Sequence, residues 1–481
     1  MADAEVIRHT LFMATETTAP EPAQAQPGLK RAIGPKLLFF FVIGDVLGTG
    51  IYALTGSVAG RVGGALWVPF LVAFIVAFLT AFSYLELVGK YPRAAGAALY
   101  TNRAFKIPFL TFLVAFTVMC SGITSASAAA RAFGATYLPA SFDIKVSAPV
   151  IAIVAVVFVL MLAAINFIGV SESVKANVVL TCIELSGLLI IIGVGVWAVL
   201  QGNGEPARLT EFKTADQSAL LAVTAATSLA FFAMVGFEDS VNMAEECKEP
   251  ARIFPKALLA GLGAAAVIYI LVALTSSLLI PANDLAAAKS NALLNVLAVG
   301  APGFPLRLFA FIGLFAVVNS ALINMLMASR LLYGMANERI LPRAFGTVHP
   351  LRRTPWVAIL VTTGIAAVLV ASAGADGVSK LGGTTALLLL IVFTVVNAAV
   401  LVLRRESVEH KHFRAPTWAP ILAAVLCGYL AVPVLSGRPA GDYYLALALI
   451  GVGILLWVVN WLYLRSRGER VEVDATKLGK R

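Results

Sequence analysis

Twelve apolar stretches long enough to cross a bilayer run through this 481-residue chain, and they leave it few ways to fold. They lie near 37–60, 67–88, 97–130, 149–170, 174–200, 218–243, 255–280, 304–333, 355–374, 381–403, 418–436 and 442–464. Lipid offers no partner for an exposed N–H or C=O, so stretches of this length must satisfy their backbones internally, as α-helices. With 60% hydrophobic and only 13% charged residues, a soluble domain is excluded and an all-α polytopic membrane protein of twelve transmembrane helices is expected.

Charge sets the orientation. Placing the N-terminus inside puts 27 of the 36 Lys and Arg on cytoplasmic segments and span ends, so both termini are expected in the cytoplasm of a cell (plasma or inner) membrane. The net charge of +10 is spread over those loops and implies no nucleic acid. Residues 1–36 read as a polar cytoplasmic tail without a signal-peptide core, and 465–481 as a second cytoplasmic tail. All six Trp fall near proposed span ends, as an aromatic belt requires. The four Cys have no paired spacing, and no Walker A, His-Glu-x-x-His or Gly-x-Ser-x-Gly pattern occurs. No enzyme, cofactor or metal site is therefore expected. A channel is disfavoured, since no charged ring or repeated pore loop is apparent.

Two spans are interrupted. VIGDVLGTGIY, Val42 to Tyr52, places Asp45 and then Gly48-Thr49-Gly50 inside the first apolar run. The sixth is interrupted at Val235-Gly236-Phe237, followed by Glu238 and Asp239. Five spans run from one break to the next. Two five-helix halves, 37–201 and 218–404, are thus expected with opposite topology, followed by two added helices over 418–464. Break positions and hydropathy carry this repeat, since the halves share no residue-level identity. Unwinding exposes N–H groups at the positive end of one half-helix and carbonyls at the negative end of the other. The first suits a carboxylate and the second an ammonium, so an amino acid is the natural occupant. The competing explanation is packing: Gly44, Gly48, Gly56, Gly60 and Gly64 also keep the four-residue spacing of small residues at helix contacts.

LGTGIY (47–52), YPRAAGAALY (91–100), VGFEDSVNMAEECKEPARIFPKA (235–257) and SRLLYGMANERILPRAFGTVHPLRRTP (329–355) together resemble the amino acid–polyamine–organocation permeases. The resemblance implies a LeuT-type 5+5 inverted repeat, with helices 1 and 6 broken, working by alternating access around a central site. By position, Gly48, Thr49 and Gly50 would meet a substrate carboxylate. The backbone near Asp45, Val46, Val235 and Phe237, beside Gly236, would meet its amino group. Phe232 falls where the family often has an aromatic gate; one more core Phe is the alternative. Asp45 stands where members usually have a neutral residue, and Glu184 where some proton-coupled members have a lysine.

The four His lie in tails or loops, which leaves carboxylates to carry a proton through the membrane. Glu184, Asp45 and Glu238 are the candidates; a structural hydrogen bond is the alternative for Glu184, and pairing with another helix for Asp45. Glu86 falls at a span end, where pairing with a loop Lys or Arg is the ordinary role. Asp45, about one turn or ~4.5 Å before Gly48, tilts the expected substrate weakly towards cationic amino acids. The chain thus reads as a secondary active, proton-coupled amino-acid permease whose partners are substrate, protons and lipid. An amine or polyamine transporter, an amino-acid exchanger and, remotely, a non-transporting nutrient sensor are the alternatives.

Overall fold

The computed structural model describes residues 33–92, 96–168, 174–213, 218–337 and 340–468. Apart from 33–36 and 465–468, both expected tails lie outside the described residues, as do 93–95 and 338–339 within two of the motifs. Among the described residues the chain is helical, with two isolated β-bridges and no strand.

The first apolar run forms two helices, α1 (Pro35–Val46) and α2 (Thr49–Val62). Pro35 opens α1 where its missing N–H is harmless, and Gly63 stops α2 with φ +91. The second run is α3 (Trp67–Lys90). The third, read as continuous over 97–130, is divided into α4 (Gly96–Phe105) and α5 (Pro108–Ala132). Pro108 begins α5, and Lys106 just before it adopts φ +54, so the chain turns there instead of tilting through. After α5 a π-helical turn, Phe133–Tyr137, extends the span to Phe142.

Then come α6 (Ala148–Ile168), α7 (Val174–Leu200) and α8 (Ala219–Ala230), the last capped by the Ser218 hydroxyl, which accepts from Leu221 N–H. They are followed by α9 (Pro250–Leu279), α10 (Leu306–Asn337), α11 (Trp356–Ser372), α12 (Gly377–Leu403), α13 (Trp418–Ala431) and α14 (Ala440–Ser466). Among the described residues ten spans are long and apolar enough to cross a membrane; α11 and α13 are shorter apolar helices. Pro433 explains the length of α13, because it cannot continue the helix to residue 436. The 281–303 connection contains two short helices, Ala282–Ala288 and Ala292–Gly300.

The core forms around the broken helices. α1 packs on α7 and α9, α2 on α8, and α5 on α10 and α12. By contrast α6, α7 and α14 expose large apolar side chains such as Ile153, Trp197 and Leu455, the surface expected of helices facing lipid.

At the end of α3, Glu86 is held as its position suggested. Arg404 donates from Nε to Oε1 at 2.8 Å and from Nη2 to Oε2 at 2.7 Å, and Ala415 N–H donates to Oε2 at 2.9 Å. The bidentate hydrogen bond to Glu86 raises the Arg404 guanidinium above its ordinary range. Only 3% of the Glu86 side chain and 11% of the Arg404 side chain is exposed. Glu86→Ala should therefore cost about 3 kcal/mol, by leaving Arg404 and a buried N–H uncompensated. A lowered melting temperature in detergent, with a smaller loss for Glu86→Gln, would show it; an unchanged melt would remove the clamp from the account of stability.

Candidate functional site

Helix ends build the site. α1 stops at Val46, and Gly48 (φ −52, ψ −145) turns the chain before α2 starts at Thr49. After α8 a 3₁₀ turn runs over Phe231–Met234; Val235 is then extended and Gly236 takes φ +125. A 3₁₀ stretch, Asp239–Glu246, follows in place of an α-helical second half.

The two breaks meet. A Cβ on Gly236 would lie 2.8 Å from the backbone C and O of Asp45, and one on Gly50 would overlap the Ala233 backbone. Gly48 faces Ser320 on α10, where a Cβ would lie 2.8 Å from the hydroxyl. Glycine at these positions lets main chains approach as no other residue would.

Beside the meeting point is a cavity enclosing about 310 Å³ of space, its open mouth included. Eight of the nine residues singled out from the sequence line it: Asp45, Val46, Gly48, Thr49 and Gly50 from the first break, Phe232, Val235 and Gly236 from the second. Phe237 does not. Its ring is fully buried on the other side, packed against Tyr84 and Phe393. The carbonyl of Val46, left by the end of α1, accepts a hydrogen bond from Tyr269 of α9, so one of its lone pairs is already used. Thr49 is different: its hydroxyl is buried at the cavity and has no hydrogen-bond partner among the described residues.

Four further residues complete the lining, and the sequence had singled out only Asp239 among them, as one of the carboxylates at the second break. Ser125 comes from α5, and Ser320 and Asn324 lie one turn apart on α10. Their one legible signal was the i, i+4 pairing of polar side chains within an apolar span. Asp239 also borders a second cavity, with about 330 Å³ of space when its open mouth is included, which shares Val235 and Asn324 and has Glu238 in its wall. Glu238 accepts the Gly236 N–H at 2.9 Å, satisfying a donor freed by the break. Neither cavity is lined by Lys, Arg or His among the described residues. No group of three His, Cys, Asp or Glu placed to hold a metal occurs among them either.

Glu184 lies apart from both cavities. It is fully buried on α7, its Oε1 accepting from Asn319 Nδ2 of α10 at 3.1 Å. Its backbone carbonyl accepts from Tyr52 Oη of α2. The carboxylate candidates are thereby divided: Asp45 belongs to the first cavity, Glu238 to the second, and Glu184 to the seam between α7 and α10 that reaches α2.

The sequence pattern of the family described as Amino acid permease matches residues 33–459, nearly all of the described chain. Similar proteins include the methylthioribose transporter of Bacillus subtilis (strain 168), 28% identical over 83% of this chain and 87% of that protein. The branched-chain amino acid permease BcaP of the same organism is 24% identical over 92% of this chain and 95% of that one. Cationic amino acid transporter 4 of Mus musculus is 26% identical over 84% of this chain and 64% of its own length. These relatives are transporters, and the helices found here are those of a multi-pass membrane protein. A family match spanning both breaks, together with a cavity between two interrupted helices, identifies the chain as a member of the amino acid permease family, in the amino acid–polyamine–organocation superfamily.

Proposed function

We propose that the protein is a secondary active amino-acid permease of the cell membrane, coupled to protons and working by alternating access around the cavity between the two breaks. The observation that carries this reading is the buried, unpartnered Thr49 hydroxyl at the start of α2, beside the Gly48–Gly50 turn. A helix N-terminus with a free donor favours a carboxylate. The second lone pair of the Val46 carbonyl and the nearby Asp45 favour an ammonium. Phe232 at the cavity wall serves as the gate over bound substrate in this reading.

The same lining supports a tilt towards cationic amino acids: among the described residues it presents Asp45 and Asp239 and no basic side chain. Relatives named as cationic amino acid transporters agree with it. An amine or polyamine substrate is the second reading, since those two carboxylates would serve a ligand lacking a carboxylate of its own. The fold belonging to this function has twelve spans in a 5+5 inverted repeat plus two, with α11 and α13 crossing as well. Both termini lie in the cytoplasm.

Uptake into proteoliposomes of labelled lysine, arginine, leucine and alanine, with and without an imposed pH gradient, is the test. Concentrative uptake of a cationic amino acid only under the gradient is expected. Gradient-independent uptake points to exchange, and stronger competition by decarboxylated analogues to the amine reading. Orientation is checked in cells by single cysteines in a background lacking the native four. Gly204→Cys should react from outside and Thr347→Cys should not; the reverse pattern overturns the topology.

A further inference from the structure

At the seam of α7 and α10, two asparagines and a glutamate share one amide. Asn177 and Glu184 lie on one face of α7, with Thr181 between them, and Asn319 reaches across from α10. Asn319 Nδ2 donates to Glu184 Oε1 at 3.1 Å and stands 3.4 Å from Asn177 Oδ1. All three side chains are buried, and Glu184 Oε2 and Asn177 Nδ2 have no hydrogen-bond partner among the described residues. Thr181 presses on Gly44 of α1 and leaves no room for a side chain there. The titratable side chains interacting with Glu184 are Tyr52 of α2 and Tyr269 of α9, whose hydroxyls donate to the carbonyls of Glu184 and Val46.

The chemistry of the amide suggests its use. As placed, one NH₂ group faces two acceptors and supplies an ionised Glu184 with a donor at Oε1. If both asparagines rotate by half a turn, the same point in space holds Asn319 Oδ1. It then accepts from a protonated Glu184 O–H and from Asn177 Nδ2. One pair of amides thereby offers Glu184 a partner in both protonation states, a donor to Oε1 of the carboxylate and an acceptor for the O–H of the acid, with no shift of backbone. A leucine of the same shape satisfies it in neither, and burial makes either failure costly.

We infer that Asn319, braced by Asn177, is a positioning residue for proton coupling: a reversible amide that holds Glu184 against α10 in both its charged and neutral forms. The inference rests on the proposed proton coupling and on Glu184, among the three carboxylate candidates, being the one that carries the proton. Three proteins are compared in proteoliposomes and by pH-difference infrared spectroscopy: wild type, Glu184→Gln and Asn319→Leu. In Glu184→Gln one carboxyl C=O band should disappear, which assigns it, and gradient-driven accumulation should be lost; if accumulation persists, the reading of Glu184 fails and the inference with it. In Asn319→Leu that band should remain but move to higher frequency. Accumulation should fall about tenfold while counterflow exchange stays within about threefold of wild type. A band and an accumulation both unchanged in Asn319→Leu, with Glu184→Gln behaving as expected, overturn the role of Asn319 alone. Should Asn319→Leu not reach the membrane, Asn177→Leu carries the test. Removing the brace should shift the same band and lower accumulation, and no change in either overturns the inference.

Discussion

Gly236→Leu is expected to abolish substrate binding and uptake while the protein still elutes as a folded species in detergent. Two costs add. The left-handed region at φ +125 is strained for any side chain, by about 1–3 kcal/mol, and the new Cβ lies 2.8 Å from the Asp45 backbone. Relief requires the two breaks to separate, which takes apart the cavity they form. Gly48→Leu should act likewise, through Ser320. Gly60 is the control: a Cβ there meets only Ala286, at 3.3 Å, so Gly60→Leu should lower yield or thermal stability without removing binding. Normal binding by a folded Gly236→Leu protein, measured with labelled substrate in detergent, would sink the two-break site.

Glu184→Gln is expected to keep substrate binding and counterflow but to lose accumulation driven by a pH gradient. The amide is nearly the shape of the protonated acid and cannot ionise, so the coupled step is frozen while the cavity, lined by other residues, is untouched. Glu184 reaches the broken helices through its neighbours: its carbonyl takes the Tyr52 hydroxyl from α2, and Thr181, three residues earlier, touches α1 at Gly44. Asp45→Asn should instead weaken binding itself, because Asp45 lines the cavity. Should Glu184→Gln concentrate substrate with the pH dependence of wild type, the proton belongs to Asp45 or Glu238.

What could be read from the sequence follows the strength of the physics behind each signal. Apolar length against bilayer thickness is a strong constraint, and it located the ten long apolar helices of the described residues; the two glycine interruptions are equally loud in lipid, where a loosened backbone has no other partners. Punctuation was missed where hydropathy drowned it. Pro108 divides the third run and Pro433 shortens the eleventh, yet both lie among apolar residues. The cavity was half legible. Its backbone half is written in the glycines, whereas Ser125, Ser320 and Asn324 come from other spans and are chemically indistinguishable from residues that merely join helices. Nor does sequence show that Tyr269, in a different span, would take a lone pair of the Val46 carbonyl.

The grip on Glu86 also orders events in time. Its partners, Arg404 and the Ala415 N–H, lie 318 and 329 residues further along the chain. A polypeptide is made from its N-terminus, and early segments enter the membrane long before late ones exist. During most of synthesis α3 therefore ends in a carboxylate whose permanent partners have not been translated, and water or headgroups must stand in for them. The seam closes only when the segment after α12 emerges and returns to α3. The last third of the chain is thus a fastener for the first, and a nascent chain halted before residue 404 carries an unfinished second span whatever the hydropathy of that span.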